Sequence, residues 1–256
     1  MLGPNGVLYG VAEWGGIYGV GEVYELIPPS TAESSSWSFQ PLFSFTGNDA
    51  ANPTTLSLRN GVLYGTTLNL LASHGGTLFE LKPPSSADGH WTETILHVFT
   101  GGTEGCYPMT PPLIMPDGSI YGATYGTLYS ALGGYPGLYG DGTVFKLTPA
   151  SSGGWTKSVI YDFGSSHFGP NSPLIVRNGA IFGIAGDTQT ATGGEVFQLQ
   201  PPASAAGQWT FNALYAFGEN DVPGGPFAMG HNAIFGVVGN MASSAGVPCW
   251  VFVLEF

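Results

Sequence analysis

The 256 residues include 17 Asp and Glu, 5 Lys and Arg, and 5 His, so any chemistry here falls to carboxylates, a few imidazoles and neutral amides. His74, His167, Glu13 and Asp187 are the candidates for general acid and base, because these side chains exchange protons near neutral pH once their surroundings tune them. Asp49, Glu104, Asp221 and Asn220 are the candidate ligands of a metal ion. Calcium takes about six to eight oxygens from carboxylates, amides and carbonyls, and Asn52 and Asn171 would add amide oxygens. A bound calcium would polarise an ester or lactone carbonyl while a carboxylate or histidine activates water. Trp14, Tyr125 and Tyr129, with the amides of Asn52 and Asn171, offer a second kind of site, in which aromatic faces stack on a ligand and amides orient it.

Other chemistries lack their patterns. No EF-hand spacing or HExxH is present, and zinc would have only His74 and His167 to draw on, with no sequence pairing between them. There is no G-x-S-x-G elbow for a serine nucleophile. Ser73-His74 and Ser166-His167 are adjacent pairs, and neighbours on a strand point to opposite faces, so neither is a dyad in itself.

The elements that must position these residues are set by an internal repeat. Asn60-Gly61-Val62-Leu63-Tyr64-Gly65 returns as Asn5 to Gly10, Asp117 to Gly122, Asn178 to Gly183 and His231 to Gly236, and the closing glycines recur at intervals of 55, 57, 61 and 53 residues. That period is one of blade-by-blade architectures. Within the second copy, 54–58 reads as a short strand, Asn60-Gly61 as a tight hairpin turn and 62–67 as its partner strand. Residues 76–81 read as a third strand stopped by Pro83-Pro84, which cannot donate to a ladder. Residues 91–99 alternate apolar and polar types as an outer strand does. The third-strand signature recurs as Val23 to Leu26, Leu78 to Leu81, Val144 to Leu147, Val196 to Leu199 and Val251 to Leu254.

The expectation is an all-β, single-domain chain: a five-bladed β-propeller of four-stranded antiparallel blades. The blades fall at about 1–50, 51–105, 106–168, 169–222 and 223–256. Blade one lacks most of its inner strand and blade five its outer one, which leaves a seam and makes a homodimer through that seam one expectation. Tyr9, Tyr64, Tyr121, Phe182 and Phe235 share one repeat position, and Trp37, Trp91, Trp155 and Trp209 another; both sets are expected to pack between blades.

In such a blade the loop from second to third strand and the loop leading to the next blade lie on one rim. Glu13, Asp187, Asp49, Glu104, Asp221, His74 and His167 all fall there. Those loops differ between copies while the strands do not, which favours a single asymmetric site at the channel mouth over five equivalent ones.

The net charge of −12 disfavours nucleic acid and anionic lipid as partners and leaves cations, small molecules and neutral glycans. No stretch approaches the ~20 apolar residues of a membrane span, and Cys106 and Cys249 lie in repeats too far apart for an expected disulfide.

NGVLYGTT followed by GGTLFELKPP, and DGSIYGAT followed by DGTVFKLTP, resemble the GloVer tandem repeat of bacterial exported proteins over essentially the whole chain. A lesser similarity to Kelch repeats concerns the propeller topology alone. The resemblance implies the repeat fold and a secreted or periplasmic location, with any signal segment outside this sequence, and brings no catalytic residues. The expected activity is calcium-dependent hydrolysis of small esters or lactones. A lectin-like carbohydrate-binding propeller is the alternative, and a structural repeat without a small-molecule site is a second one.

Overall fold

The computed structural model describes residues 1–30, 36–48, 50–69, 75–86, 89–126, 142–164, 169–186, 193–204, 207–218, 221–240 and 250–255. Apart from a three-residue 3-10 turn at Pro4–Gly6, every regular element among them is a strand. Sheet 1 contains β1 (Leu8–Ala12), β2 (Glu22–Ile27) and β3 (Ser38–Ser44). Sheet 2 contains β4 (Pro53–Arg59), β5 (Val62–Thr67), β6 (Thr77–Lys82) and β7 (Thr92–Val98). Sheet 3 contains β8 (Leu113–Ile114), β9 (Ile120–Thr124), β10 (Thr143–Pro149) and β11 (Trp155–Asp162). Sheet 4 contains β12 (Ile175–Arg177), β13 (Ala180–Ala185), β14 (Glu195–Gln200) and β15 (Thr210–Ala216). Sheet 5 contains β16 (Asp221–Met229), β17 (Ala233–Asn240) and β18 (Trp250–Glu255). All pairings between these strands are antiparallel, in chain order. No described helix is long and apolar enough to cross a membrane.

The repeated residues explain this regularity. Asn60 (φ 52) and Gly61 (φ 79) both take the left-handed backbone that a two-residue hairpin turn requires, as do Asn178 and Gly179. In the corresponding Asp117-Gly118 turn of sheet 3 only Gly118 has positive φ, and the Asp117 carboxylate instead accepts from the Ser119 amide at 3.0 Å and hydroxyl at 2.7 Å. The second recurring glycine has a different cause. The ring of Phe79 lies over Gly65 and that of Phe145 over Gly122, so a Cβ at either place would overlap the ring. In sheets 1 to 4 the register between third and fourth strands slips at one place, at Val23/Tyr24, Leu78/Phe79, Val144/Phe145 and Val196/Phe197. The bulge therefore recurs with the aromatic.

Alternate residues of each strand face opposite neighbours, and the core is divided accordingly. Sheets 1 and 2 share a cluster around Val23, Phe45, Leu63 and Phe79. Sheets 2 and 3 share Leu78, Phe99, Ile120 and Phe145. Sheets 3 and 4 share Val144, Ile181 and Phe197, and sheets 4 and 5 share Val196, Ile234 and Phe252. Tyr9, Tyr64, Tyr121 and Phe182 pack in these clusters, as do Trp91, Trp155 and Trp209. Phe235 and Trp37 depart from the expected packing, at 39% and 46% exposure. They belong to sheets 5 and 1, each of which has only one packed neighbour among the described residues.

Candidate ligand-binding rim

Three of the four junctions between neighbouring sheets are stapled at the rim by backbone hydrogen bonds among the described residues. The Asn52 amide donates to Val20 O at 2.8 Å, Tyr107 to Gly75 O at 2.6 Å and Gly169 to Tyr125 O at 2.9 Å. Asn52 (φ 57) and Tyr107 (φ 60) take the same unusual backbone before a proline that opens the next sheet, so the motif is one device used repeatedly. Buried threonines stand behind it. The Thr67 and Thr77 hydroxyls pair at 2.8 Å, and Thr124 and Thr143 pair at 2.8 Å, satisfying polar groups that burial would otherwise penalise.

Several predicted site residues are parts of these staples. Asn52 is fully buried, with its side-chain nitrogen 3.3 Å from Glu13 O. Asn171 donates to Pro223 O at 3.1 Å, linking sheet 4 to sheet 5. Asp221 accepts from the Gly218 amide at 3.1 Å. Tyr125 is half-buried, and burial raises its phenol above the usual range.

Glu104 is engaged at the junction of sheets 2 and 3. The Thr100 hydroxyl donates to Glu104 Oε2 at 2.5 Å, and the Lys157 ammonium donates to the Glu104 carbonyl and lies 3.6 Å from Oε1. His97 Nε2 lies 2.5 Å from Oε1. Burial pushes the Glu104 carboxyl up, but Thr100, Lys157 and His97 outweigh it and hold it below the ordinary range. The Lys157 side chain is 7% exposed and stands 5.3 Å from the Phe99 ring and 5.6 Å from the Phe145 ring. Burial lowers its amine to about 8, against the pull of Glu104. Burial also lowers His97, against the pull of Glu104. Sequence reasoning missed Lys157 and His97 because they sit on different outer strands whose meeting depends on sheet packing.

Glu13 and Trp14 open the loop between β1 and β2, whose sequence is unlike that of the corresponding segments in the other repeats. Trp14 is 55% exposed, Ile17 83% and Tyr18 59%. Glycines brace it: the Gly21 amide donates to Gly15 O at 3.0 Å and Gly19 to Gly16 O at 3.3 Å. The Ile17 amide lies 3.3 Å from Ser44 Oγ, and Val20 packs into the core of sheets 1 and 2. The loop is thus anchored at its base and presents two aromatic rings and an isoleucine outward. Tyr18 was not singled out in the sequence; its spacing from Trp14 across Gly15-Gly16, unmatched in any other copy, is the signal that marks it.

The structure brings Glu13, Trp14 and Asn52 together and keeps Glu104, Asn171 and Asp221 at other junctions. His74, His167, Asp187, Tyr129, Asp49 and Asn220 lie outside the described residues. Among the described residues, no three His, Cys, Asp or Glu side chains converge on a metal position.

A sequence model of the Gloeobacter/Verrucomicrobia repeat matches residues 1–247. No curated protein sequence matches this chain. Among solved structures, the chain is similar to a bifunctional GH43-CE protein of Bacteroides eggerthii, at 14% identity and TM-score 0.45, over 92% of this chain and 30% of that one. It is also similar to a family 43 arabinoxylan arabinofuranohydrolase of Bacillus subtilis, solved with cellotetraose, at 15% identity and TM-score 0.43, over 99% of this chain and 62% of that one. A protein designated a gluconolactonase is similar at 15% identity and TM-score 0.49, over 99% and 84%. The chain therefore spans less than two thirds of the length of the first two.

Proposed function

The chain belongs to the Gloeobacter/Verrucomicrobia repeat family, and from that membership we propose an exported propeller of five blades that binds a neutral carbohydrate on one rim, at the loop carrying Trp14 and Tyr18. The observation that carries this reading is the exposure of those two rings on a glycine-braced loop whose sequence the other repeats do not share. Exposed aromatic surface on an anchored loop fits a contact surface. A sugar ring suits it, because its C–H face stacks on an aromatic ring while its hydroxyls reach the backbone carbonyls and the Glu13 side chain alongside. The net charge of −12 points to a neutral ligand over an anionic one. Calorimetric titration against a panel of neutral polysaccharides, run with and without chelator, tests the reading. Saturable binding that survives chelation is expected, and absence of heat with every member of the panel rules it out.

A second reading, calcium-assisted hydrolysis of a small ester or lactone on the same rim, is favoured by one observation. Asn171 Oδ1 is buried and accepts no hydrogen bond, so it is an oxygen available to a cation. Asn171 and Asp221 would be the described ligands, with Asn220 adjacent to Asp221 in the chain, Asp49 as a further carboxylate, and His74, His167, Glu13 or Asp187 activating water. Hydrolysis of a chromogenic ester or lactone that stops with chelator and returns with calcium is its expected signature. Hydrolysis undiminished in chelator contradicts it.

A further inference from the structure

Sheets 1 and 5 expose opposite halves of an interface that the chain builds four times. Val23, Leu78, Val144 and Val196 hold one repeat position in the third strand, and each is 0% exposed against the sheet that follows. Val251 holds that position in sheet 5 and is 66% exposed. Two residues on, Glu25, Glu80, Lys146 and Gln198 are polar, whereas sheet 5 has Val253, 50% exposed and directly opposite Phe235. Val237 pairs with Val251 on the same face. The last sheet is thus more apolar than its counterparts on the side that nothing described covers.

Sheet 1 is the reciprocal case. Phe79, Phe145 and Phe197, with Leu81, Leu147 and Leu199, are 0% exposed against the preceding sheet. Their equivalents Tyr24 and Leu26 are only half-buried. Leu8 pairs with both Leu26 and Leu2, so these leucines share that face, and Leu2 is 70% exposed. Phe39, opposite Leu26, is 55% exposed.

We propose that a second copy of this chain covers the Val251 face of sheet 5 with the Leu2–Leu8–Leu26 face of its own sheet 1. The contact continues the pattern of the internal ones, since each of the four sheet junctions within the chain joins these same two faces. It is heterologous, with a different face from each copy, and so differs from a two-fold dimer in which one face meets itself. Ring closure within one chain would use the same two faces and leave the protein monomeric.

Sedimentation equilibrium of the whole chain over a wide concentration range tests this, with Val251→Asp blocking one face and Leu2→Asp the other. Both residues are exposed, and unchanged thermal unfolding of the dilute variants confirms that each is folded. The wild-type mass is expected to rise with concentration, and each variant alone to associate at least about tenfold more weakly. An equimolar mixture of the two variants is expected to form a one-to-one dimer and nothing larger, because each supplies the face the other lacks. A wild type monomeric at every concentration overturns the proposal in favour of ring closure. A dimer that persists in either variant alone overturns the heterologous geometry, as does a variant mixture that stays monomeric.

Discussion

Trp91 precedes the fourth strand of sheet 2 and packs in the cluster shared by sheets 1 and 2, whereas Trp14 stands 55% exposed on a loop outside every described cluster. Side chains of one type thus answer to different constraints in the two places. Trp91 has counterparts at Trp155 and Trp209, and all three pack between sheets. Trp14 has no counterpart, and its loop holds itself up by glycine backbone contacts. The difference teaches that repetition marks packing wherever a neighbouring sheet is present, and that departures from the repeat mark surfaces available to a ligand.

Substitutions break or sharpen that contrast. Phe145 lies over Gly122, in the fully buried cluster between sheets 2 and 3. Phe145→Ala is expected to destabilise by about 3–5 kcal/mol in denaturant unfolding, the range for deleting a buried aromatic. Gly65→Ala drives a Cβ into the Phe79 ring and the Thr55 carbonyl, and a loss of about 1–3 kcal/mol is expected as the ring shifts. If either change is neutral, the recurring Gly and Phe are not the packing pair described here.

Lys157 gives a pH test of the staple between sheets 2 and 3. Its amine loses its proton near pH 8 in the fold and near 10.5 when unfolded. Over that interval the unfolded chain binds more protons, so the unfolding free energy rises with pH. Burial raises Tyr64 and Tyr125, which keep their protons in the fold above pH 10 and work in the opposite direction. The expected rise is therefore confined to about pH 8 to 10. Chemical unfolding at several pH values checks it, and Lys157→Met should flatten the slope. A wild-type slope unchanged by that substitution contradicts the burial of a titrating amine.

The smallest expected effect on stability is at the loop. Trp14→Ala should leave the unfolding free energy within about 0.5 kcal/mol of wild type, as for other exposed positions. A loss as large as that of Phe145→Ala would make Trp14 a core residue and erase the contrast.

Much of the scaffold was legible in the sequence because its causes are local. Asn60-Gly61 requires positive φ, Pro83-Pro84 ends a strand, and the alternation from Thr92 to Val98 is that of an outer strand. The glycine closing each repeat was visible as a constant, but its reason, the overlying ring of Phe79 or Phe145, is a contact across strands. The candidate site was less legible. Asn52 looks like a free amide beside a proline, yet it is buried as a staple between sheets 1 and 2. Glu104 looks like a metal ligand, yet Lys157 arrives from sheet 3 to occupy it. Trp37 and Phe235 matched their repeat positions and were expected to be covered, but position in a repeat says nothing about whether a neighbouring sheet is present. Each of these depends on the meeting of elements about 40 or more residues apart, which no local pattern encodes.

The central claim is that the Trp14–Tyr18 loop is the ligand-binding surface. It is tested most directly by titrating wild type, Trp14→Ala and Trp37→Ala with the same neutral polysaccharide and comparing affinities. The account predicts that Trp14→Ala weakens binding at least tenfold, about 1.4 kcal/mol or more, while Trp37→Ala, exposed but on the uncovered face of sheet 1, binds as wild type does. Equal affinity in wild type and Trp14→Ala would contradict it.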